Sequence, residues 1–314
     1  MYFPVSGVEV NPIVPVITAF VISFFTSMGG VSGAFLLLPF QVSVLGFNTP
    51  SVSATNQLYN IVSIPGGIYR YIKEGRMVWP LAGVIVLGTL PGVFIGAFLR
   101  IQYLPDPRNF KFFAGLVLLF IGFKLLRELM KRDNGETKKK SAEQQFRSLV
   151  KNFNAKQEVN KQIPRVKIKS ISISKIVYEF YGQDFDIKIV GITGISFIVG
   201  IVGGVYGIGG GAIIAPLLVT LFGLPVYTIA GAALMGTFVT SIAGVLFYQF
   251  ISSYYSGMVI SPDWMLGFLF GIGGFAGMYL GARMQKYFPA KVIKWILAIC
   301  IWFIAVNYII SFFR

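Results

Sequence analysis

Two glycine-rich clusters and one polar helix face hold the residues of this 314-residue chain with chemistry to offer. The clusters are Met28-Gly29-Gly30-Val31-Ser32-Gly33 and Gly203-Gly204-Val205-Tyr206-Gly207-Ile208-Gly209-Gly210-Gly211, each inside a long apolar run. Glycine clusters break helices. Where the chain turns back and a second helix begins, its first N–H groups lack intrahelical acceptors and stand at the positive end of the helix dipole. With no Cβ in the way, an oxyanion can approach that backbone closely. Ser32, Gly33 and Ala34 facing Gly209, Gly210 and Gly211 are therefore the candidate site for one small anion.

The polar face follows the first cluster. Ser53, Asn56, Asn60, Ser63, Gly67 and Arg70 are spaced 3, 4, 3, 4 and 3 apart, which puts them on one side of a helix. Asn56 and Asn60 are the candidate side-chain contacts to the anion. Ser and Asn in membrane helices also act as interhelical glue, so cavity lining and helix packing both stand as readings. Arg70 is expected to snorkel to the surface.

Other chemistries lack their residues. Histidine is absent and the single cysteine, Cys300, sits in an apolar run, which removes His-based catalysis, His/Cys metal sites and an intrachain disulfide. Glu9, Glu74, Asp106 and Asp263 fall in turns or at ends, so no expected span carries a carboxylate at its middle, where proton relays usually need one. The reading is a non-enzyme with no cofactor and no metal.

The elements that position these residues are written in the hydropathy. The chain is 55% hydrophobic and 12% charged with a mean hydropathy of +0.73, against roughly 25% charged in an ordinary soluble domain. It is expected to be a multi-pass protein of the cell membrane whose main partners are the lipid bilayer and a small anionic substrate. The net charge of +15 comes from basic residues beside and between apolar runs, as positive-inside topology requires, so no nucleic-acid partner is expected. Met1 to Pro12 carries no Lys or Arg, so no signal peptide is expected. The oligomeric state is not legible.

Eight apolar runs fall in two blocks of similar layout. The first run of each block, Ile13 to Gly46 and Ile187 to Gly223, is too long for one span of about 20 residues. Each must bend at its glycines, and return arms of 13 and 12 residues at about 1.5 Å per residue are too short to cross the core. A shift of 177 residues superposes Gly33 on Gly210, Pro39 on Pro216, Gly46 on Gly223 and Tyr71 on Tyr248. A shift of 185 superposes Trp79 on Trp264 and Gly92-x-x-x-Gly96 on Gly277-x-x-x-Gly281. The two Gly-x-x-x-Gly faces read as helix packing and the tryptophans as interfacial anchors.

The expected fold is thus an all-α integral membrane protein of two inverted repeats, each a glycine-broken re-entrant hairpin plus three transmembrane helices. Its divisions are 1–127 for the first repeat, 128–186 for a basic cytoplasmic linker and 187–314 for the second repeat. The linker holds 13 Lys/Arg and 8 Asp/Glu. It reads as a topology anchor, with Lys131 to Asn160 solvated, a short strand over Arg165 to Ile176, and both termini outside. The turn with Arg100, Arg108 and Lys111 runs against that charge rule.

Gly207-x-Gly209-Gly210-Gly211-x-x-x-x-Pro216, followed by a small-residue helix, Trp264 and Gly277-x-x-x-Gly281-Ala282, resembles the sulfite exporter TauE/SafE family. The first block carries a degenerate copy, Gly30-x-Ser32-Gly33-Ala34-x-x-x-x-Pro39. The resemblance implies a permease for small sulfur-containing or organic anions such as sulfite or sulfonates. Two other readings are an anion channel and a membrane sensor acting through the basic linker.

Overall fold

A computed structural model describes residues 1–28, 31–130, 165–180, 182–211, 213–255, 257–284 and 290–313. Gly29 and Gly30 of the first cluster, and the solvated segment expected over Lys131 to Asn160, lie outside the described residues. A small hairpin, β1 (Tyr2–Phe3) and β2 (Val8–Glu9), precedes the helices. Then come α1 (Ile13–Met28), α2 (Ala34–Ser43), α3 (Ser51–Lys73), α4 (Trp79–Gln102) and α5 (Pro107–Met130). After three strands, the second block runs α6 (Ile189–Tyr206), α7 (Ile214–Phe222), α8 (Val226–Ile251), α9 (Trp264–Met284) and α10 (Ala290–Phe313).

The breaks fall at the glycine clusters. Gly207 ends α6 at φ 77° and Gly223 ends α7 at φ 66°, left-handed conformations that glycine adopts without a Cβ penalty. The 10 residues of α2 and 9 of α7 reach only about 15 Å and 14 Å. The arms before the breaks are longer, 16 residues in α1 and 18 in α6, or about 24 Å and 27 Å. Asp263 starts α9, accepting the Leu266 N–H at 3.0 Å and the Ser6 N–H of the hairpin loop at 3.0 Å.

Among the described residues, α4, α5, α6, α8 and α9 are long and apolar enough to cross a membrane. At 23 residues α3 has the length but not the composition. Its first ten residues, Asn56, Gln57 and Asn60 among them, are all buried in protein. A helix shielded by its neighbours can carry polar groups that lipid would not tolerate.

Packing runs across the two blocks. Helix α1 lies on α9 and α6 lies on α4; α9 also packs on α3, α4 on α8, α3 on α8 and α5 on α10. The Gly-x-x-x-Gly faces make these contacts close, as expected. A Cβ at Gly92 would lie 2.7 Å from the Ile201 backbone nitrogen, and one at Gly281 would strike the Phe24 carbonyl. With no hydrophobic drive between helices in lipid, such backbone-to-backbone contact is what holds the pairs together.

The linker corrects the all-α expectation. Instead of one strand over Arg165 to Ile176, three antiparallel strands form: β3 (Lys167–Ile171), β4 (Lys175–Phe180) and β5 (Gln183–Lys188). Ile187, expected to open an apolar helix, belongs to β5. Alternation along β4 buries Ile176, Tyr178 and Phe180 against the helical core, which is what turns a charged stretch into a folded sheet. The Tyr178 hydroxyl lies 2.8 Å from Thr228 Oγ1, and burial pushes its pKa upward. Lys169 on the open face pairs with Asp184 at 2.6 Å and Glu179 at 3.3 Å, and those acceptors raise its pKa.

Candidate functional site

Helix α3 brings the two glycine clusters to one place. Asn56 Nδ2 donates to the Ala34 carbonyl at 3.0 Å on the first cluster's side and to the Gly207 carbonyl at 3.1 Å on the second. One turn further along, Asn60 Nδ2 donates to the Ile208 carbonyl at 2.9 Å and to Ser241 Oγ at 3.2 Å, while its Oδ1 accepts from Ser32 Oγ. The i, i+4 spacing makes this possible, since it stacks the two amides on one face toward both breaks. Every one of these groups is buried.

Each turn has its own internal bonds. Ser32 Oγ accepts the Ala34 N–H at 3.2 Å at the start of α2. In the second cluster the Gly210 N–H donates to Thr240 Oγ1 at 3.0 Å. Gly209 takes φ 74°, and a Cβ there would lie 2.8 Å from Ser241 Oγ. A Cβ on Gly211 would lie 2.6 Å from Thr237 nitrogen, and one on Gly210 2.5 Å from Thr89 Cβ. The second turn is therefore glycine by necessity of space.

What remains is a set of donors. Among the described residues, the backbone N–H groups of Ser32, Gly209 and Gly211 donate to no protein acceptor, while that of Gly33 bonds the Tyr59 hydroxyl. Helices α2 and α7 point their N-terminal ends at the same region, adding positive potential. No carboxylate stands among these groups, and no cluster of three His, Cys, Asp or Glu occurs among the described residues. Unpaired N–H groups, two helix ends and hydroxyls suit the oxygens of a small anion.

All eight predicted residues, Ser32, Gly33, Ala34, Asn56, Asn60, Gly209, Gly210 and Gly211, fall in this one region. Of the rest of the polar face, Ser53 reaches the Val205 carbonyl at 3.4 Å. Arg70 leaves the site and pairs with Glu74 at 2.6 Å at the end of α3. Reasoning from sequence missed Ser241, Thr89, Gln41 and the pair Ser23 and Tyr59. Gln41 Nε2 donates to Asn56 Oδ1 at 3.4 Å, and the Ser23 and Tyr59 hydroxyls are 2.6 Å apart beside Gly33. Their one signal was a polar side chain inside an apolar run, which does not tell which way it faces.

Comparison with known proteins identifies the family. The pattern that defines the family described as sulfite exporter TauE/SafE matches residues 16–308. The chain is 23% identical over 252 residues to the probable membrane transporter protein YunE of Bacillus subtilis (strain 168), covering 80% of this chain and 78% of that one. It is 30% identical over 121 residues to the probable membrane transporter protein YdhB of the same organism, covering 38% of this chain and 45% of that one. No solved structure matches the chain.

Proposed function

The chain belongs to the sulfite exporter TauE/SafE family and is a multi-pass membrane transporter, and from that premise we propose that its substrate is a small sulfur-containing or organic anion, such as sulfite or a sulfonate, held between the two glycine turns. The observation that carries this reading is the set of three unpartnered N–H groups at Ser32, Gly209 and Gly211, drawn from both turns and gathered by Asn56 and Asn60. Backbone donors at helix N-termini in a water-poor interior can bind an anion at the turns with no cationic side chain among them.

The two blocks act as inverted repeats, each with a re-entrant pair, α1 with α2 and α6 with α7. Support comes from the exchange of partners: α1 on α9 is the counterpart of α6 on α4, and α3 on α9 the counterpart of α8 on α4. An odd number of crossings per repeat sets the linker sheet and the two termini on opposite sides, and the basic residues of the linker support a cytoplasmic linker with both termini outside. Rocking of one repeat against the other would then open the turns to either side. With no carboxylate among the site groups, the membrane potential drives export, contributing about 2.3 kcal/mol per 100 mV for a monovalent anion.

The test is flux in proteoliposomes under an imposed potential. Sulfite or methanesulfonate should move with the sign of the voltage, saturate, and continue when sodium and the pH gradient are removed. Strict dependence on either gradient would replace this mechanism with a coupled carrier.

A further inference from the structure

One charged group inside the molecule is used by nothing described so far. Arg100, in the last turn of α4, is completely buried. Its Nη1 donates to the Leu104 carbonyl, closing the end of the helix, and its guanidinium lies over the Phe110 ring, 3.8 Å from the centroid. These contacts use one edge and one face. Nε and Nη2, both buried, have no hydrogen-bond partner, and no carboxylate pairs with Arg100 among the described residues.

The unpartnered atoms are not any two. Nε–H and Nη2–H form the lateral edge of the guanidinium, the two parallel donors that match two oxygens on one carbon, sulfur or phosphorus centre. A buried cation with that edge unfilled is costly unless an anion completes it.

Its position joins it to the glycine turns. Tyr248 interacts with Arg100 and packs with the neighbouring Ala97 and Ile101. The Tyr248 hydroxyl donates to the Gly204 carbonyl at 3.4 Å and is within hydrogen-bonding reach of Ser53. Ser53 is one helical turn before Asn56, and the α-carbon of Ser53 would lie 2.5 Å from a Cβ on Gly207. Polar groups thus run from Asn60 through Asn56, Ser53 and Tyr248 to Arg100, toward the end of the molecule remote from the basic turn of Arg70 and Arg76.

We propose that Arg100 is a second anion-binding station on the transport route, taking two oxygens of a sulfonate, sulfite or carboxylate on its Nε/Nη2 edge as the substrate passes between the glycine turns and the far side of the membrane. The inference rests on the anion-transport reading and assigns that route a polarity: Arg100 has no carboxylate partner among the described residues, whereas Arg70 and Arg76 at the other end pair with Glu74. It also gives the Arg100 turn, which runs against the positive-inside rule, a reason to keep its arginine.

The test uses full-length protein and methanesulfonate as probe. Arg100→Lys keeps the charge and the helix-closing donor but removes the two-donor edge. In proteoliposomes its half-saturating methanesulfonate concentration should rise about tenfold while the limiting rate changes much less, as expected where lysine replaces a bidentate arginine. A half-saturation within about twofold of the parent overturns the proposal, since loss of a single paired contact should exceed that. The parent in detergent supplies a measurement independent of folding in the variant and of flux: methanesulfonate should slow modification of Arg100 by phenylglyoxal, read by peptide mass, and a rate unchanged by it also overturns the proposal. Protection of Arg100 in a protein that carries no flux would leave the station standing and remove the transport reading. Saturable flux indifferent to Arg100 would do the reverse.

Discussion

The two glycine turns occupy equivalent places in the two blocks, yet they are built from different materials. The second, Gly207 to Gly211, is made of backbone: Gly207 and Gly209 hold positive φ, and a Cβ on Gly207, Gly209, Gly210 or Gly211 would meet a neighbour at less than 3 Å. The first keeps Ser32 and Ala34, and its Ser32 hydroxyl accepts the Ala34 N–H and donates to Asn60. The side chains that reach across are unequal too. Asn56 and Asn60 of α3 contact both turns, while Thr237, Thr240 and Ser241 of α8 serve mainly the second. One turn thus supplies shape, and the other shares in the polar side-chain contacts that join the two blocks.

Four substitutions would break or sharpen that difference. Gly211→Ala should be the most damaging, because the new methyl would strike the Ala233 carbonyl and crowd the Thr237 nitrogen, backbone atoms that cannot move aside. Overpacking of this kind costs about 1–3 kcal/mol or more, so little monodisperse protein should be recovered, and what there is should melt well below the parent. Normal yield and melting would show that the second turn is not set by space. The same clash argues against using Gly210→Val or Gly33→Val as simple blocks of the anion site, since each would first disturb Thr89 or Tyr59.

Asn60→Leu comes next. It keeps volume but leaves the Ile208 carbonyl without its donor and Ser32 without its acceptor, at a cost of about 1–3 kcal/mol in stability. Anion flux should fall at least about tenfold if the two turns must be held in register, a change equal to 1.4 kcal/mol. Thermal melting and proteoliposome flux check both halves of that statement. Ser32→Gly, which makes the first turn resemble the second, should melt only about 1 kcal/mol less stably for the lost hydroxyl hydrogen bonds and retain flux within a fewfold. Equal damage from Ser32→Gly and Asn60→Leu would mean that the Ser32 contact, and not the bridge to Ile208, is what matters.

Tyr178→Phe should have the smallest effect. It deletes the bond to Thr228 while leaving the buried ring, so stability should drop by about 1 kcal/mol, and substrate flux should be unchanged. A large change in flux would give the linker sheet a regulatory part in transport.

Much of this arrangement is written locally. The glycine breaks, the short return helices, the single face carrying Asn56 and Asn60, and the close-packed Gly92 and Gly277 faces all follow from spacings within one helix. What each asparagine bonds is not local: the Gly207 and Ile208 carbonyls are about 150 residues away, and the packing of α3 against α8 and the end of α6 brings them in reach. Arg100 shows the same limit. In sequence it is one of three basic residues in a turn, and nothing there distinguishes it from Arg108, whose guanidinium reaches the exposed Phe312 carbonyl. The linker was misread for a different reason: its charges dominate the composition, while the alternation that buries Ile176, Tyr178 and Phe180 spans only five residues.

The central claim is that the N–H groups of the two turns hold the anion, and amide resonances report on those groups directly. Carbonyl-13C serine with 15N glycine selects three sequence pairs, ending at Gly7, Gly33 and Gly257, and carbonyl-13C isoleucine with 15N glycine selects four, ending at Gly96, Gly122, Gly209 and Gly273. Titrating sulfite or methanesulfonate into the labelled protein in lipid should move the Gly33 and Gly209 signals together, with one saturation curve, while Gly7, Gly122 and Gly257 stay in place. Saturable movement elsewhere with Gly33 and Gly209 unshifted would contradict the claim and place the anion away from the glycine turns.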